Sequence, residues 1–371
     1  MEKNLEQLEK HELIVNMGPQ HPSTHGVLRL VVTLDGERVL NCRPVVGYLH
    51  RALEKIAENR TYHQFIPLTD RVDYCASMNA NWAWVGAVEK LADIQVPPRA
   101  EYLRVIVGEL NRIASHLVWW ATFLLDLGAV TPFNYAFRDR EMILDLFEMV
   151  CGARLLYSYM RVGGVSRDLP DEFIPAARNF IKHFRKMLPE YHALVSGNVI
   201  FQERVVNKGF LPEQLALDYG VTGPNLRASG VDWDLRRDEP YSAYPQFEFK
   251  VPVSEKGDCM ARYDVRMIEM EESLKIVEQA LNKLPGGKII ADIPLKLEVP
   301  KGETYFRSEA PRGEMGVYLV SEGGQKPYRA KIRTGSFSNL SVFPVMVKGL
   351  LLQDLVAISG SMDFILPEID R

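Results

Sequence analysis

The paired prolines Pro97-Pro98 open an unbroken helical pattern that runs from Arg99 to about Leu127. Proline is tolerated in the first turn of a helix, where its missing N–H would have no partner in any case. Val105, Ile106, Leu110, Ile113 and Leu117 supply apolar faces along this run. Similar runs precede and follow it. Tyr48 to Tyr62 spaces Leu49, Leu53 and Ile56 as a helix does, and a second run covers roughly Val72 to Leu91 after a loop at Pro67 to Arg71. Thr131-Pro132 precedes a helix at about Arg138 to Tyr159; Gly163-Gly164 breaks it, and Leu169-Pro170 starts another toward His192. Long helices in such succession mark a helical bundle.

Both ends of the chain read differently. Leu13 to Val15, Val27 to Leu34 and Arg38 to Cys42 alternate as strands, with Asp35-Gly36 as a turn. Arg204 to Pro245 is rich in Gly, Pro, Asp and Arg and reads as loops before a helix at Arg262 to Leu284, which Pro285-Gly-Gly ends. Gly316 to Ser321 and Tyr328 to Arg333 read as strands, followed by a helical stretch near Gln353 to Ile358. The expected class is α+β, a central helical bundle flanked by small N- and C-terminal β units. Four segments follow: a β unit with a histidine loop (1–46), the bundle (47–200), a loop-rich region with a long helix (201–301) and a C-terminal α/β unit (302–371).

The net charge of −4 gives no electrostatic case for nucleic-acid binding. Met1 to Glu12 is polar and resembles neither a secretory signal nor a transit peptide. The most apolar run, Leu117 to Leu127, is too short to span a membrane, so contact with one is expected through a partner or a surface. Cys42, Cys75, Cys151 and Cys259 are scattered, with no Cys-x-x-Cys, which disfavours iron–sulfur or structural zinc sites and fits a reducing cytosolic setting.

Candidate chemistry begins at Asn16 to Gly26, where two prolines and two glycines make a shaped loop around His21 and His25. Histidine titrates near neutral pH, so a structural turn, a metal ligand pair and proton transfer are all open readings of this loop. Asp70 and Asp73 read as helix caps or as functional carboxylates, and Tyr74 beside them has a phenol able to donate a proton in a cleft. Glu109, Arg112 and His116 share one helix face, either as an internal ion pair with a core histidine or as a functional group. Asp126 follows Trp119 to Leu125 with no basic residue beside it; a carboxylate there needs a partner or a proton, and a histidine is a natural partner.

Taken together, GPQHPSTHGVLRL, GYLHRALEKIAENRTY, PPRAEYLRVIVGELNRIASHL, LLDLGAVTPF, RVGGV..DLP, LRASG and PYRAKIRTGSF, in order, resemble one family, the D subunit of complex I. The resemblance runs from about Leu13 to Arg371 and implies the fold of the NiFe-hydrogenase large subunit. Hydrogenases hold their metals with Arg-x-Cys-Gly-x-Cys and Asp-Pro-Cys-x-x-Cys-x-x-His. Here those stretches read Arg71-Val-Asp-Tyr-Cys-Ala76 and Asp363-Phe-Ile-Leu-Pro-Glu-Ile-Asp-Arg371. Asp73, Ala76, Ile365 and Glu368 stand at the four cysteine positions, so the thiolates such a metal requires are missing.

The resemblance implies instead a quinone site bound by His25 and Tyr74, with Asp126 as partner to His25. It places Arg51 and Arg71 toward the terminal iron–sulfur cluster of a neighbouring subunit, and His21 and His116 in support. It also implies a peripheral protein on the cytoplasmic side of the cell membrane, holding no iron–sulfur or NiFe centre of its own. The partners it implies are other parts of complex I: the cluster-holding B subunit, the C subunit and the membrane-embedded H subunit. Two departures stand out. Leu155-Leu156-Tyr157 replaces a histidine that many members carry near the cluster, which implies a lower, less pH-dependent cluster potential suited to menaquinone over ubiquinone. The segment from Pro285 to Gly302 is shortened to a Pro-Gly turn and a brief strand. Alternatives are the same subunit in a ferredoxin- or deazaflavin-linked complex, a non-catalytic scaffold, and a stand-alone metalloenzyme.

Overall fold

The computed structural model describes residues 12–21 and 26–371. His25 therefore lies outside the described residues. Strands β1 (Glu12–Met17), β2 (Arg29–Asp35) and β3 (Arg38–Val45) form an antiparallel sheet in sequence order. β2 buries Leu30, Val32 and Leu34 on one face, the period-two pattern of a half-buried strand.

The helix expected over Tyr48–Tyr62 is mostly absent: only α1 (Leu53–Ala57) forms, before α2 (Tyr62–Thr69) begins at the Thr61 capping box. The backbone N–H groups of Gly47 and Leu49 donate instead to the Asp370 carboxylate, each at 2.7 Å. A carboxylate from the far end of the chain thus holds the backbone ahead of α1. Pro67 lies within α2 rather than in a loop.

α3 (Ser77–Ala92) is buried at every position from Ser77 to Glu89, because it is enclosed on all sides. α4 (Pro98–Asp126) forms as expected from its two prolines. α5 (Val130–Cys151) starts and stops earlier than the expected Arg138–Tyr159. Pro132 is its third residue, where a backbone N–H would have no intrahelical acceptor, and Gly152 ends it in the left-handed conformation at φ 77°. A hairpin of β4 (Met160–Arg161) and β5 (Gly164–Val165) leads to α6 (Phe173–Tyr191), which buries Phe173, Phe180, Phe184 and Tyr191 on one stripe.

The loop-rich region carries four short helices, α7 (Val199–Val205), α8 (Glu213–Asp218), α9 (Pro224–Arg227) and α10 (Leu235–Asp238). α11 (Cys259–Asn282) follows, capped by Asp258, whose side chain accepts from the Ala261 N–H at 2.7 Å. The segment before β6 is irregular, with isolated bridges Gly164–Ile290 and Val299–Gly324 rather than the expected brief strand. An antiparallel sheet of β6 (Gly302–Ala310), β7 (Gly313–Ser321) and β8 (Arg329–Arg333) precedes α12 (Gly335–Val347), α13 (Leu352–Met362) and α14 (Leu366–Asp370). β6, α12 and α14 were not expected from periodicity. α4 lies at the centre, packed by α3, α5, α11 and α13, while α3 also backs onto β6 and β7. Gly86 of α3 permits that approach: a Cβ there would lie 2.5 Å from the Phe306 ring.

Candidate functional site

The last turns of α4 end beside a cavity of about 320 Å³. Trp119 and Asp126 of α4, Tyr74 and Cys75 before α3, Arg312 from the β6–β7 turn and the Asp363–Ile365 segment line it. The two stretches that align with the metal motifs of hydrogenases, far apart in sequence, therefore meet here. Its volume falls at the lower end of the roughly 300–1,000 Å³ usual for small-molecule sites.

Tyr74 sits in a clamped loop. Asp73 Oδ1 accepts from the N–H groups of Cys75 and Ala76 at 3.0 and 3.1 Å, an Asx turn ahead of α3 rather than a helix cap, since the N-cap position is Ala76. Asn111 of α4 accepts from the Met78 N–H at 2.9 Å and donates to the Cys75 carbonyl at 3.1 Å. Tyr74 itself is 42% exposed, opening into the cavity, and its hydroxyl has no hydrogen-bond partner among the described residues. Burial of the phenol, reinforced by Cys75 and opposed by Arg312, pushes it up to about 12. At neutral pH it is a hydrogen-bond donor that keeps its proton until an acceptor gains charge.

Asp126 is the final residue of α4 and is half-buried. The carbonyl end of a helix favours a cation beside it, the part expected of His25. α13 approaches closely here through Gly360: its carbonyl accepts from Trp119 Nε1 at 2.9 Å, and a Cβ on it would lie 3.5 Å from Asp126 Oδ2. His21 is exposed and bridges to Gly26 across the base of the histidine loop. A Cβ on Gly26 would meet Leu366 Cδ2 at 3.6 Å, next in sequence to the cavity-lining Ile365.

The other candidates do not line the cavity. Arg51 is exposed, its backbone N–H donating to the Arg371 carbonyl at 3.4 Å. Arg71 donates to the Pro67 carbonyl and lies 3.8 Å from the buried carboxylate of Asp70, with its side chain 41% exposed. Asp70 caps no helix start: it stands at the C-cap position of α2 and its side chain accepts from the Ser158 hydroxyl at 2.7 Å. His116 is wholly buried in α4, where Nε2 meets Glu269 Oε2 at 2.9 Å and burial pulls it below the usual histidine range. That Glu269 pairs with Arg227 at 2.6 Å, and Arg227 with Glu309 at 2.8 Å; Glu109 pairs with Arg112 and Arg236 at 3.2 and 3.1 Å. This is an internal ion network joining α4 to α11, so His116 supports the helix rather than the cavity.

Sequence reasoning missed Arg312 altogether. Its guanidinium, 1% exposed, donates to Asp73 at 2.8 Å, Ser115 at 3.1 Å and Asp363 at 3.1 Å, tying both motif stretches together. Ala76 and Ile365 offer no donor atoms at two of the four hydrogenase cysteine positions, and Asp73 is already bound to amides and Arg312. The donor set does not fit a NiFe centre.

The sequence profile described as "Respiratory-chain NADH dehydrogenase, 49 Kd subunit" matches residues 126–297 and 292–371. The D subunit of NADH-quinone oxidoreductase from Geobacillus thermodenitrificans is 53% identical over 364 residues, covering 98% of this chain and 100% of that protein. Its counterpart from Bacillus cytotoxicus is 52% identical over 360 residues, covering 97% and 98%. Among solved structures, a chain of the membrane-bound sulfane sulfur reductase, an archaeal respiratory membrane complex, superimposes with a TM-score of 0.95 at 35% identity, covering 98% of this chain and 100% of that one. No helix among the described residues is long and apolar enough to cross a membrane. With likeness extending over nearly its whole length, the chain belongs to the family of the NADH-quinone oxidoreductase D subunit, one component of an oxidoreductase complex.

Proposed function

We propose that this protein forms the quinone-headgroup site of a proton-pumping NADH:quinone oxidoreductase, with Tyr74 and His25 donating to the two carbonyl oxygens. One observation carries the reading: Tyr74 and Asp126, separated by the length of α3 and α4, open into one cavity. The closeness of Gly26 to Leu366, such that a Cβ on it would meet that side chain at 3.6 Å, supports the part given to its sequence neighbour His25, which itself lies outside the described residues.

Reducing a quinone takes two electrons and two protons. The electrons would come from the terminal iron–sulfur cluster of the neighbouring B subunit, toward which Arg51 and Arg71 would face, their positive charge favouring the reduced cluster. As each carbonyl oxygen gains charge, the Tyr74 hydroxyl and the His25 imidazole pass it a proton, and both are recharged from solvent. Arg312, in the same cavity wall, stabilises the transient Tyr74 phenolate. Loss of the His25 proton frees Asp126 of its ion pair, a charge change that starts the coupling to proton translocation. The C and H subunits complete the contacts on the cytoplasmic side of the membrane. The stretch Leu155-Leu156-Tyr157, where many members have a histidine, favours menaquinone.

Fold alone does not choose the electron acceptor, since the archaeal neighbour is named a sulfane sulfur reductase. Quinone reduction in membranes carrying Tyr74→Phe, with assembly checked and an artificial acceptor as control, decides it. Selective loss of quinone reduction by about 10²-fold or more is expected. Equal activity with both acceptors would return the chain to a scaffold role.

A further inference from the structure

Glu368 is fully buried yet incompletely bonded. Oε2 accepts from the Ser336 N–H at 3.1 Å, while Oε1 has no hydrogen-bond partner among the described residues. Asp363 Oδ2 and Arg312 Nε are buried and unpartnered in the same way. The groups that act on Glu368 come from three separate parts of the chain. Asp73 lies before α3, Arg312 in the β6–β7 turn and Ser336 at the start of α12; Asp363, at the end of α13, meets Arg312 at 3.1 Å, and the Thr334 hydroxyl binds the Glu368 carbonyl at 2.7 Å.

These groups do not balance if all are ionised. Arg312 faces three carboxyls, two of which, Asp73 and Asp363, already hold it directly, and the second buried guanidinium, Arg266, lies near Asp363, leaving two cations to three carboxyls. Asp73 further accepts two backbone amides. The Glu368 carboxyl is bonded only to the neutral Ser336, so it is the member for which ionisation costs most.

We propose that Glu368 is a proton-holding positioning residue for the cavity. In its neutral form it leaves Arg312 to Asp73 and Asp363, and so holds the Tyr74 loop in place. In its ionised form it draws on Arg312 and adds negative charge behind the site where the headgroup is reduced. Burial, reinforced by Asp73 and opposed by Arg312, pushes Glu368 up to about 8, so the proton is held at neutral pH and released to solvent in mild alkali. The inference rests on the reading of the cavity as the quinone site.

The test is the pH profile of quinone reduction by the assembled complex from roughly pH 6 to roughly pH 9, with the artificial acceptor as control. The unsubstituted complex should lose kcat/KM for quinone by about tenfold per pH unit above a midpoint near 8. Glu368→Gln, fixed in the neutral shape, should flatten that limb, and Glu368→Asp should restore a titrating one. A limb in Glu368→Gln that matches the unsubstituted complex would overturn the proposal. Should neither variant assemble, the pH-difference infrared spectrum of the unsubstituted complex still decides, since a protonated-carboxyl band must bleach near the same midpoint and its absence overturns the idea. Failure of the quinone-site reading is separate, and shows as Tyr74→Phe leaving quinone reduction intact.

Discussion

Replacing Arg312 with methionine removes the charge and the fork of donors while keeping most of the volume. Arg312 is 1% exposed and donates to Asp73, Asp363 and Ser115 at 2.8, 3.1 and 3.1 Å. Neither carboxylate has another cation bonded to it among the described residues. Removing one partner of a buried ion pair strands the other charge, at a cost of about 3–5 kcal/mol. At about 1.4 kcal/mol per decade, the amides of α3 and α13 should lose roughly two to three and a half decades of hydrogen-exchange protection in the assembled complex. Acid should return part of that protection, because protonating the stranded carboxyls removes their charge. Arg312→Met/Asp363→Asn should likewise be less damaged than Arg312→Met alone. Protection within threefold of the unsubstituted complex would refute the argument that Arg312 ties the two stretches together.

Gly360→Ala puts a Cβ 2.7 Å from Phe123 and 3.5 Å from Asp126 Oδ2, forcing α13 off α4 at a cost of about 1–3 kcal/mol. Quinone reduction should fall with it while artificial-acceptor activity persists, and full quinone activity would show that the end of α4 is not part of the site. With Leu155, Leu156 and Tyr157 beside the Asp70–Ser158 contact and no histidine among them, the partner cluster should titrate with little pH dependence, and a clear slope in a redox titration would contradict that.

Local signals were legible where the partners of a residue lie nearby in the chain. Pro97-Pro98 and the apolar faces after it specify α4, and Asp35-Gly36 specifies the turn between β2 and β3, because capping, turn chemistry and side-chain periodicity all act within a few residues. Motif resemblance pointed to Tyr74 and Asp126, which share a cavity. The sequence also kept open the reading of Glu109, Arg112 and His116 as an internal network, which the contacts with Arg236 and Glu269 bear out.

Other features depended on residues hundreds of positions away. The stretch from Tyr48 has helical spacing, but Asp370 holds the amides of Gly47 and Leu49. Asp73 reads locally as a cap, but it lies ahead of the N-cap position Ala76 and closes a turn with Cys75 and Ala76 instead; its second oxygen belongs to Arg312, and nothing near Arg312 in the sequence announces that pairing. Glu368 reads as one charge in a charged tail, although the fold buries it beside Asp73 and Arg312. The amino-acid sequence determined the long helices, the flanking strands and the absence of metal thiolates, since those follow from side-chain type and spacing. Tertiary structure alone decided which charges share the dry space beneath Tyr74, because the strength of an ion pair and the protonation of a carboxyl are set by distance and burial.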